Sequence, residues 1–253
     1  DIVKIVGWLK ETHKNYISGL KKEKIKEEAI FALEEKISVL EKFLFGVHYL
    51  KEVSPRSKDL IQSFGERLSP IVLEAFLLDN QIQAKFLEAE QAGIYCKGMF
   101  ENAVADIKKT TKSLHNKIVP LLKNTVIILP GYYGVDENND VKTFGRGVID
   151  YSAGLIAKVL DTKLEIWKDV SGFMSADPKA VKGAKRIPFL SYEEAEELGY
   201  LGAKILHPKT IEPLREKMIE IELKNIFEPN KKGTIIGASA KGFHPIVKSI
   251  AAK

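Results

Sequence analysis

The sequence has few of the residues that mark secreted, metal-binding or membrane proteins. Among its 253 residues there is one cysteine, Cys96, which cannot build a disulfide framework or a zinc site and so favours a reducing cytoplasm. It has no run of 18 apolar residues, which argues against a membrane span, and its charged, amphipathic first twenty residues argue against a signal peptide. The five histidines are dispersed without an HExxH-like spacing, so we predict no metal site built from protein ligands.

Arginine is scarce as well, although the chain is basic. The net charge is +5 and the isoelectric point is near 9.0, but the lysines are spread along the chain and no basic run is interleaved with aromatic residues. This pattern is typical of a solvated, lysine-rich surface, and we predict no nucleic-acid partner. In such a chain, arginine marks positions where a planar, bidentate donor is wanted. The five arginines are Arg56, Arg67, Arg146, Arg186 and Arg215.

Hydrophobic spacing predicts helices over the first eighty residues. Apolar residues recur at steps of three and four through residues 1–50, with a charged link at 21–28, which predicts two antiparallel helices. Ser54-Pro55 is typical of an N-cap followed by proline at the first helical position. We therefore expect a third helix from Pro55 to Leu78, with a break near Gly65.

Strands and helices alternate after residue 80. The predicted strands are 83–87, 125–129, 163–167, 219–223 and 234–236, and turn residues at 131–134 and 136–140 predict a hairpin. The predicted helices are 106–122, 150–160 and 192–198, the last opened by a capping box of Ser191 and Glu194. This alternation favours an α/β fold, in which a mainly parallel sheet over residues 80–240 is covered by helices on both faces. We expect strands 125–129 and 163–167 to share that sheet.

Polar residues that are candidates for binding or catalysis cluster at strand ends and turns in the second half of the chain. Arg146 stands between two glycines at a helix start, where an anion can approach the backbone closely, although such an arginine also occurs in ordinary loops. A strand that ends in Lys168-Asp169 is followed by glycine and Asp-Pro turns. This segment can form a pocket at the carboxyl edge of the sheet, or a purely structural connection. His207 precedes a proline, and a structural histidine is favoured over a catalytic base.

The chain carries an ordered series of short motifs. They are Ser63-Phe-Gly-Glu-Arg67, Gly145-Arg-Gly147 with Asp150-Tyr-Ser-Ala153, Glu165-Ile-Trp-Lys-Asp-Val-Ser-Gly172, Ala176-Asp-Pro178, Lys185-Arg-Ile-Pro188, Leu190-Ser-Tyr192, Glu197-Leu198, and Gly202-Ala-Lys-Ile-Leu-His-Pro208 with Thr210-Ile-Glu-Pro213. Through these motifs the chain resembles the aspartate kinases of the amino-acid kinase family. The helical pair over residues 1–50 is similar to their characteristic insertion.

The resemblance implies a three-layer α/β sandwich and a phosphotransferase. It divides the chain into a helical insertion (1–53), a kinase domain (54–240) and a segment leading toward regulatory ACT domains (241–253). The implied reaction transfers the γ-phosphoryl group of ATP to the side-chain carboxylate of L-aspartate, the first step toward lysine, threonine and methionine. Magnesium would bridge the phosphates instead of sitting in a protein cage. A cytoplasmic homodimer is also implied.

The resemblance also implies roles for individual residues. Arg146 and Asp150 are the implied catalytic residues, with Arg146 clamping a substrate carboxylate. The implied aspartate-binding residues are Ser63, Glu66, Arg67, Arg146 and Asp150. The implied ATP-binding residues are Lys168, Asp169, Met174, Lys179, Lys204 and Ile205.

Three departures from the family pattern bear on activity. The family's opening Lys-Phe-Gly-Gly-Thr-Ser phosphate loop has no counterpart here, because none of the 18 glycines is adjacent to another. Val148 and Ile149 replace a Gly-Ser pair, while Met174 and Lys179 replace a tyrosine and an arginine. We therefore expect the 253-residue chain by itself to lack kinase activity. A non-catalytic relative that binds a ligand or a partner chain is the alternative interpretation.

Overall fold

The structure, a computed structural model, describes residues 1–145, 149–177, 180–201, 205–238 and 249. The chain divides into two compact units, Asp1–Arg146 and Gly147–Lys253. The described helices are α1 (Ile2–Ser18), α2 (Glu23–Leu50), α3 (Pro55–Asp79), α4 (Ala89–Ala92), α5 (Ile107–Lys117), α6 (Ile149–Leu160), α7 (Tyr192–Tyr200) and α8 (Pro208–Arg215), with a short 3-10 helix at Val119–Leu121. The described strands are β1 (Ala84–Phe86), β2 (Cys96–Lys97), β3 (Val104–Ala105), β4 (Val126–Ile128), β5 (Tyr133–Val135), β6 (Val141–Thr143), β7 (Leu164–Lys168), β8 (Phe189–Ser191), β9 (Ile221–Asn225) and β10 (Thr234–Gly237). None of the helices in the described ranges is long and apolar enough to cross a membrane.

The first unit begins with the predicted pair of helices, α1 and α2, which pack on each other and on α3. Their apolar stripes meet in one buried cluster of Val6, Ile17, Leu20, Ala29, Leu33, Ile37, Leu68, Ile71 and Ala75. Removing such side chains from water is the main force that holds an amphipathic helix in place. The helical pair is therefore part of the hydrophobic core of the first unit.

Helix α2 starts without a capping side chain of its own, because its N-cap residue is Lys22. The carboxylate of Asp79, at the end of α3, accepts hydrogen bonds from the backbone N–H groups of Lys22, at 2.8 Å, and Lys21, at 3.0 and 3.1 Å. These bonds satisfy backbone donors at the helix start and tie it to α3. They also hold the pKa of Asp79 below its usual value of 3.8.

Replacing Asp79 with alanine should lower the melting temperature of the protein. Because the folded-state pKa of Asp79 lies below its unfolded value, its contribution is complete above about pH 4 and disappears as the pH falls through the folded pKa. The difference in Tm between wild type and Asp79→Ala should therefore be largest near neutral pH and shrink in acid. Thermal melts from pH 7 to pH 2 measure it. Asp161→Ala, at an exposed carboxylate, is the control and should show no such trend. An Asp79→Ala difference that is constant with pH would contradict the assignment.

Helix α3 begins as predicted, but it does not break at Gly65. The Ser54 hydroxyl accepts from the N–H of Ser57, and Pro55 occupies the first helical position. The helix then continues through Gly65 and Pro70 to Asp79. The predicted break is wrong because a single glycine weakens a helix by only about 1 kcal/mol, and burial of one face of α3 outweighs that cost.

The strands of the first unit form three two-stranded sheets. Strands β1 and β4 are parallel, β2 and β3 are antiparallel, and β5 and β6 form the predicted hairpin. The fully buried Asp59 of α3 binds the hairpin, since its carboxylate accepts from the N–H and hydroxyl of Thr143 at 3.0 and 2.8 Å. It also accepts from the N–H of Glu101. Helix α3 is thereby connected to two other segments of the first unit by a satisfied buried carboxylate.

The second unit contains a four-stranded sheet in the order β7-β9-β10-β8. The pairs β7–β9 and β10–β8 are parallel, and β9–β10 is antiparallel. Helices α6, α7 and α8 supply much of the remaining core, which includes Leu155, Tyr192, Ala195, Ile211 and Leu214, all at most 2% exposed. The capping box of Ser191 and Glu194 that opens α7 is present as predicted.

The predicted strands at 125–129 and 163–167 exist, but the expectation that they share a sheet is wrong. Strand β4 pairs with β1 in the first unit, and β7 pairs with β9 in the second. Among the described residues, no strand pairs with both, so each of the two is an edge of its own sheet. Five short elements were not predicted, namely β2, β3, β8, α4 and α8. Strands of two or three residues are too short to show a periodicity, and prolines interrupt the helical pattern of α8.

Candidate functional site

The second unit brings two of the predicted site residues together at the carboxyl end of β7. Lys168 is the last residue of that strand, and its ammonium group lies 2.9 Å from Oδ2 of Asp150 in the first turn of α6. Both side chains are partly exposed, at 29% and 21%. The neighbouring parallel strand β9 ends at the same edge, with Asn225 opposite Lys168. Open α/β sheets bind ligands at this edge, so the pair is placed where a ligand can reach it.

The loop that follows β7 is held in one conformation by buried groups. Gly172 has a φ of +114°, which side chains rarely adopt, and an added Cβ there would lie 2.3 Å from the hydroxyl of Thr234. That hydroxyl accepts from the N–H of Phe173 at 2.9 Å and donates to the carbonyl of Ile187 at 2.7 Å. Because Thr234 is fully buried, these bonds fix the loop to β10. The loop next to Lys168 is therefore preorganised.

Asn225 is a structural part of this site that sequence reasoning missed. Its side-chain amide donates to the hydroxyl of Ser171 at 3.0 Å, and its carbonyl oxygen accepts from the N–H of Phe227 at 2.9 Å. The N–H of Ile226 donates to the carbonyl of Lys168. These bonds join the loops after β7 and β9. The sequence offers only a weak signal for them, an asparagine two residues after the predicted strand 219–223.

The remaining predicted ATP-binding residues lie at different places in the second unit. Asp169 is exposed directly after β7, and Ile205 is packed against the hydrophobic core. Met174 is half-buried, and its backbone forms an isolated bridge with Arg186. Arg146, Val148, Lys179 and Lys204 lie outside the described residues, so their predicted roles stay predictions.

His207 has the structural role that the sequence favoured. Its Nδ1 accepts from the N–H of Lys209 at 3.1 Å, which makes it the N-cap of α8. Burial, with a smaller contribution from the charge of Lys209, lowers the pKa of His207 below its usual value. The imidazole is therefore neutral near pH 7 and already engaged with the helix backbone.

The predicted Ser63-to-Arg67 motif lies in the middle of α3 in the first unit. Ser63 is fully buried, donates to the carbonyl of Leu60 and accepts from Nε of Arg67 at 2.9 Å. Glu66 is half-buried, and none of the hydrogen bonds or ion pairs between described residues involves it. Of the three predicted aspartate-binding residues in this motif, Glu66 is the one whose side chain has no partner among the described residues.

Arg67 is buried and is fully engaged with protein groups. Its two terminal nitrogens form ion pairs with Glu88 and Glu90, and only 6% of its side chain is exposed. Burial alone would lower the pKa of Arg67, but its interactions with Tyr133, Glu90 and Glu88 raise it, so the guanidinium remains charged. Burial raises the pKa of Tyr133, which keeps that phenol neutral.

Comparison with known proteins identifies the family to which the chain belongs. A profile of the amino acid kinase family matches residues 8–225. The chain belongs to the amino acid kinase family. Among curated relatives, it is 34% identical over 213 residues to an aspartokinase of Schizosaccharomyces pombe, an alignment that covers 84% of this chain and 41% of the relative. It is also 34% identical over 260 residues to the chloroplastic aspartokinase 3 of Arabidopsis thaliana, which covers 100% of this chain and 45% of that relative.

A solved structure with the same fold is E. coli aspartokinase III in complex with aspartate and ADP. It matches with a TM-score of 0.84 at 27% identity, over 94% of this chain and 52% of that one. The α/β amino acid kinase fold and the resemblance to aspartokinases are therefore confirmed. This family member spans about half the length of the relatives and of the solved structure that it matches.

Proposed function

We propose that this protein provides the catalytic region of an aspartate kinase, which transfers the γ-phosphoryl group of ATP to the side-chain carboxylate of L-aspartate. The observation that carries the proposal is the Lys168–Asp150 pair at the carboxyl end of β7. A loop fixed by Thr234 follows this pair. The likeness to E. coli aspartokinase III, solved with aspartate and ADP, supports the choice of substrates.

The reaction brings two anions together, so the protein has to position them and offset their charge. In this proposal Arg146 binds a carboxylate of aspartate through its planar fork, and Glu66 binds the substrate ammonium group. Lys168 places a positive charge next to the phosphates of ATP, while Asp150 holds that lysine and the start of α6 in place. Asp169, Met174, Lys179, Lys204 and Ile205 complete the proposed ATP site.

Magnesium is expected to accompany ATP. Among the described residues, no group of three or more His, Cys, Asp or Glu side chains could hold a metal ion. In this proposal the phosphate oxygens of ATP supply most of the ligands of the metal, and Asp150 is the carboxylate of the site that would help to hold it. When bound, Mg²⁺ would neutralise phosphate charge. The homodimer and the cytoplasmic location also belong to the proposal, and light scattering of the full-length protein tests the first.

Replacing Arg146 with alanine in the full-length protein tests the proposal. Loss of a charged hydrogen bond costs about 1.5–3 kcal/mol, so the Kd for aspartate should rise about 10- to 150-fold. Isothermal titration with aspartate measures the change. Arg215→Ala is the control, because Arg215 forms a surface ion pair with Glu196, and its removal should leave the Kd within about twofold. An unchanged Kd in Arg146→Ala would contradict the carboxylate-binding role.

A further inference from the structure

The guanidinium of Arg67 connects several elements of the first unit. From α3 it donates to the Ser63 hydroxyl in the same helix, and it forms ion pairs with Glu88, the N-cap of α4, and with Glu90 inside α4. Glu88 forms a second ion pair with Lys36 of α2. The positive charges of Arg67 and Lys36 balance the two glutamate charges. Buried ion pairs are tolerated in proteins when every charge has a partner in this way.

Two aromatic rings lie close to the same guanidinium. Its central carbon lies 4.7 Å from the ring centre of Tyr133 in β5 and 5.8 Å from that of Phe64 in α3. Tyr133 is fully buried. A guanidinium that lies near two rings, and whose three nitrogens all donate to protein groups, is constrained in orientation as well as in position. A lysine ammonium at this position would keep the charge but lose both constraints.

This constrained side chain is adjacent in sequence to Glu66. Successive residues of a helix are separated by about 100° around its axis, so Arg67 faces the buried side while Glu66 is half-buried and without a partner among the described residues. Any rotation or shift of this turn of α3 would move the Glu66 carboxylate with it. Misplacing a substrate-binding group by about 1 Å can cost about 100-fold in rate.

We propose that Arg67 is a positioning residue: it does not touch aspartate but holds the turn of α3 that presents Glu66 to the substrate ammonium group. This inference rests on the proposed function, because it takes Glu66 as an aspartate ligand. It assigns to Arg67 a role different from the direct contact that the sequence resemblance implied. All three of its nitrogens already donate within the protein, and only 6% of its side chain is exposed, so a substrate has little access to it.

The test is steady-state kinetics of Arg67→Lys in the full-length protein. We expect the KM for aspartate to rise about tenfold or more, while the KM for ATP stays within about twofold, because Arg67 acts through Glu66, which the proposed function gives to aspartate and not to ATP. Arg56→Lys is the matched control, since Arg56 lies in the same helix and pairs with Asp140 at an exposed position. It should change neither KM.

A second variant keeps the test decisive if Arg67→Lys does not fold. Glu90→Gln removes one of the two carboxylate charges and leaves the Glu88 pair and both rings, so it should raise the KM for aspartate in the same selective way but less. Glu66→Gln should raise the KM for aspartate at least as much as Arg67→Lys does.

The outcomes separate the inference from the proposed function. A rise in the KM for aspartate in Glu66→Gln, with no change in Arg67→Lys or Glu90→Gln, would overturn the positioning role and leave the proposed function intact. An equal rise in the KM for aspartate and the KM for ATP in Arg67→Lys would also overturn the positioning role, because that pattern is expected of a residue that only stabilises the fold. If Glu66→Gln has no effect, the assignment of Glu66 in the proposed function fails, and the inference fails with it.

Discussion

Replacing Gly233 with alanine should destabilise the second unit by about 3 kcal/mol or more, the upper end of the range for overpacking a well-packed site. A Cβ atom at this position would lie 1.4 Å from the carbonyl oxygen of Leu223 and 2.6 Å from its carbonyl carbon. Both atoms are backbone, so no side-chain rotation can relieve the overlap. Gly233 directly precedes Thr234, which pairs with Leu223 in the antiparallel β9–β10 ladder. The two central strands of the sheet would have to separate to make room.

The matched control for this prediction is Gly183→Ala. Gly183 also lies in a loop of the second unit, but a Cβ added there would meet nothing within 4 Å. This substitution should change the free energy of unfolding by no more than about 0.5 kcal/mol. Urea unfolding of both variants, followed by circular dichroism, measures the difference. If Gly233→Ala were as stable as Gly183→Ala, β9 and β10 could not approach each other as closely as the structure has them.

The sequence predicted those parts of the fold that depend on neighbouring residues. The caps of α3 and α7 are formed within three positions, by Ser54 with Ser57 and by Ser191 with Glu194. The helical pair follows from an apolar spacing of three and four that any long amphipathic helix repeats. The strands β1, β4 and β7 follow from short apolar runs between turn residues. Each of these signals is complete within one segment of the chain.

Contacts between distant segments could not be predicted in this way. The capping of α2 by Asp79 joins residues 57 positions apart, and the bond between Asn225 and Ser171 joins residues 54 positions apart. The motif around Glu66 could be recognised, but the carboxylates that engage Arg67 follow it by 21 and 23 positions. For the same reason, strands 125–129 and 163–167 were recognised as strands while their partners were not. Pairing depends on which edges meet in space.

Removing the ammonium group of Lys168 should lower the rate of aspartyl phosphate formation about 100- to 1000-fold, the usual loss for a donor that faces developing charge. In Lys168→Met of the full-length protein, the carboxylate of Asp150 also loses its partner at 2.9 Å, so the proposed ATP site gains net negative charge. A hydroxamate assay measures the rate, and circular dichroism checks the fold.

Lys224→Met is the matched control. That lysine lies on the adjacent strand β9, over the ring of Trp167 and 3.6 Å from Glu165, and its removal changes the net charge equally. It should keep the rate within about threefold. Because the two variants differ in where the charge is lost and not in how much, a similar rate for both would show that Lys168 takes no part in the transfer.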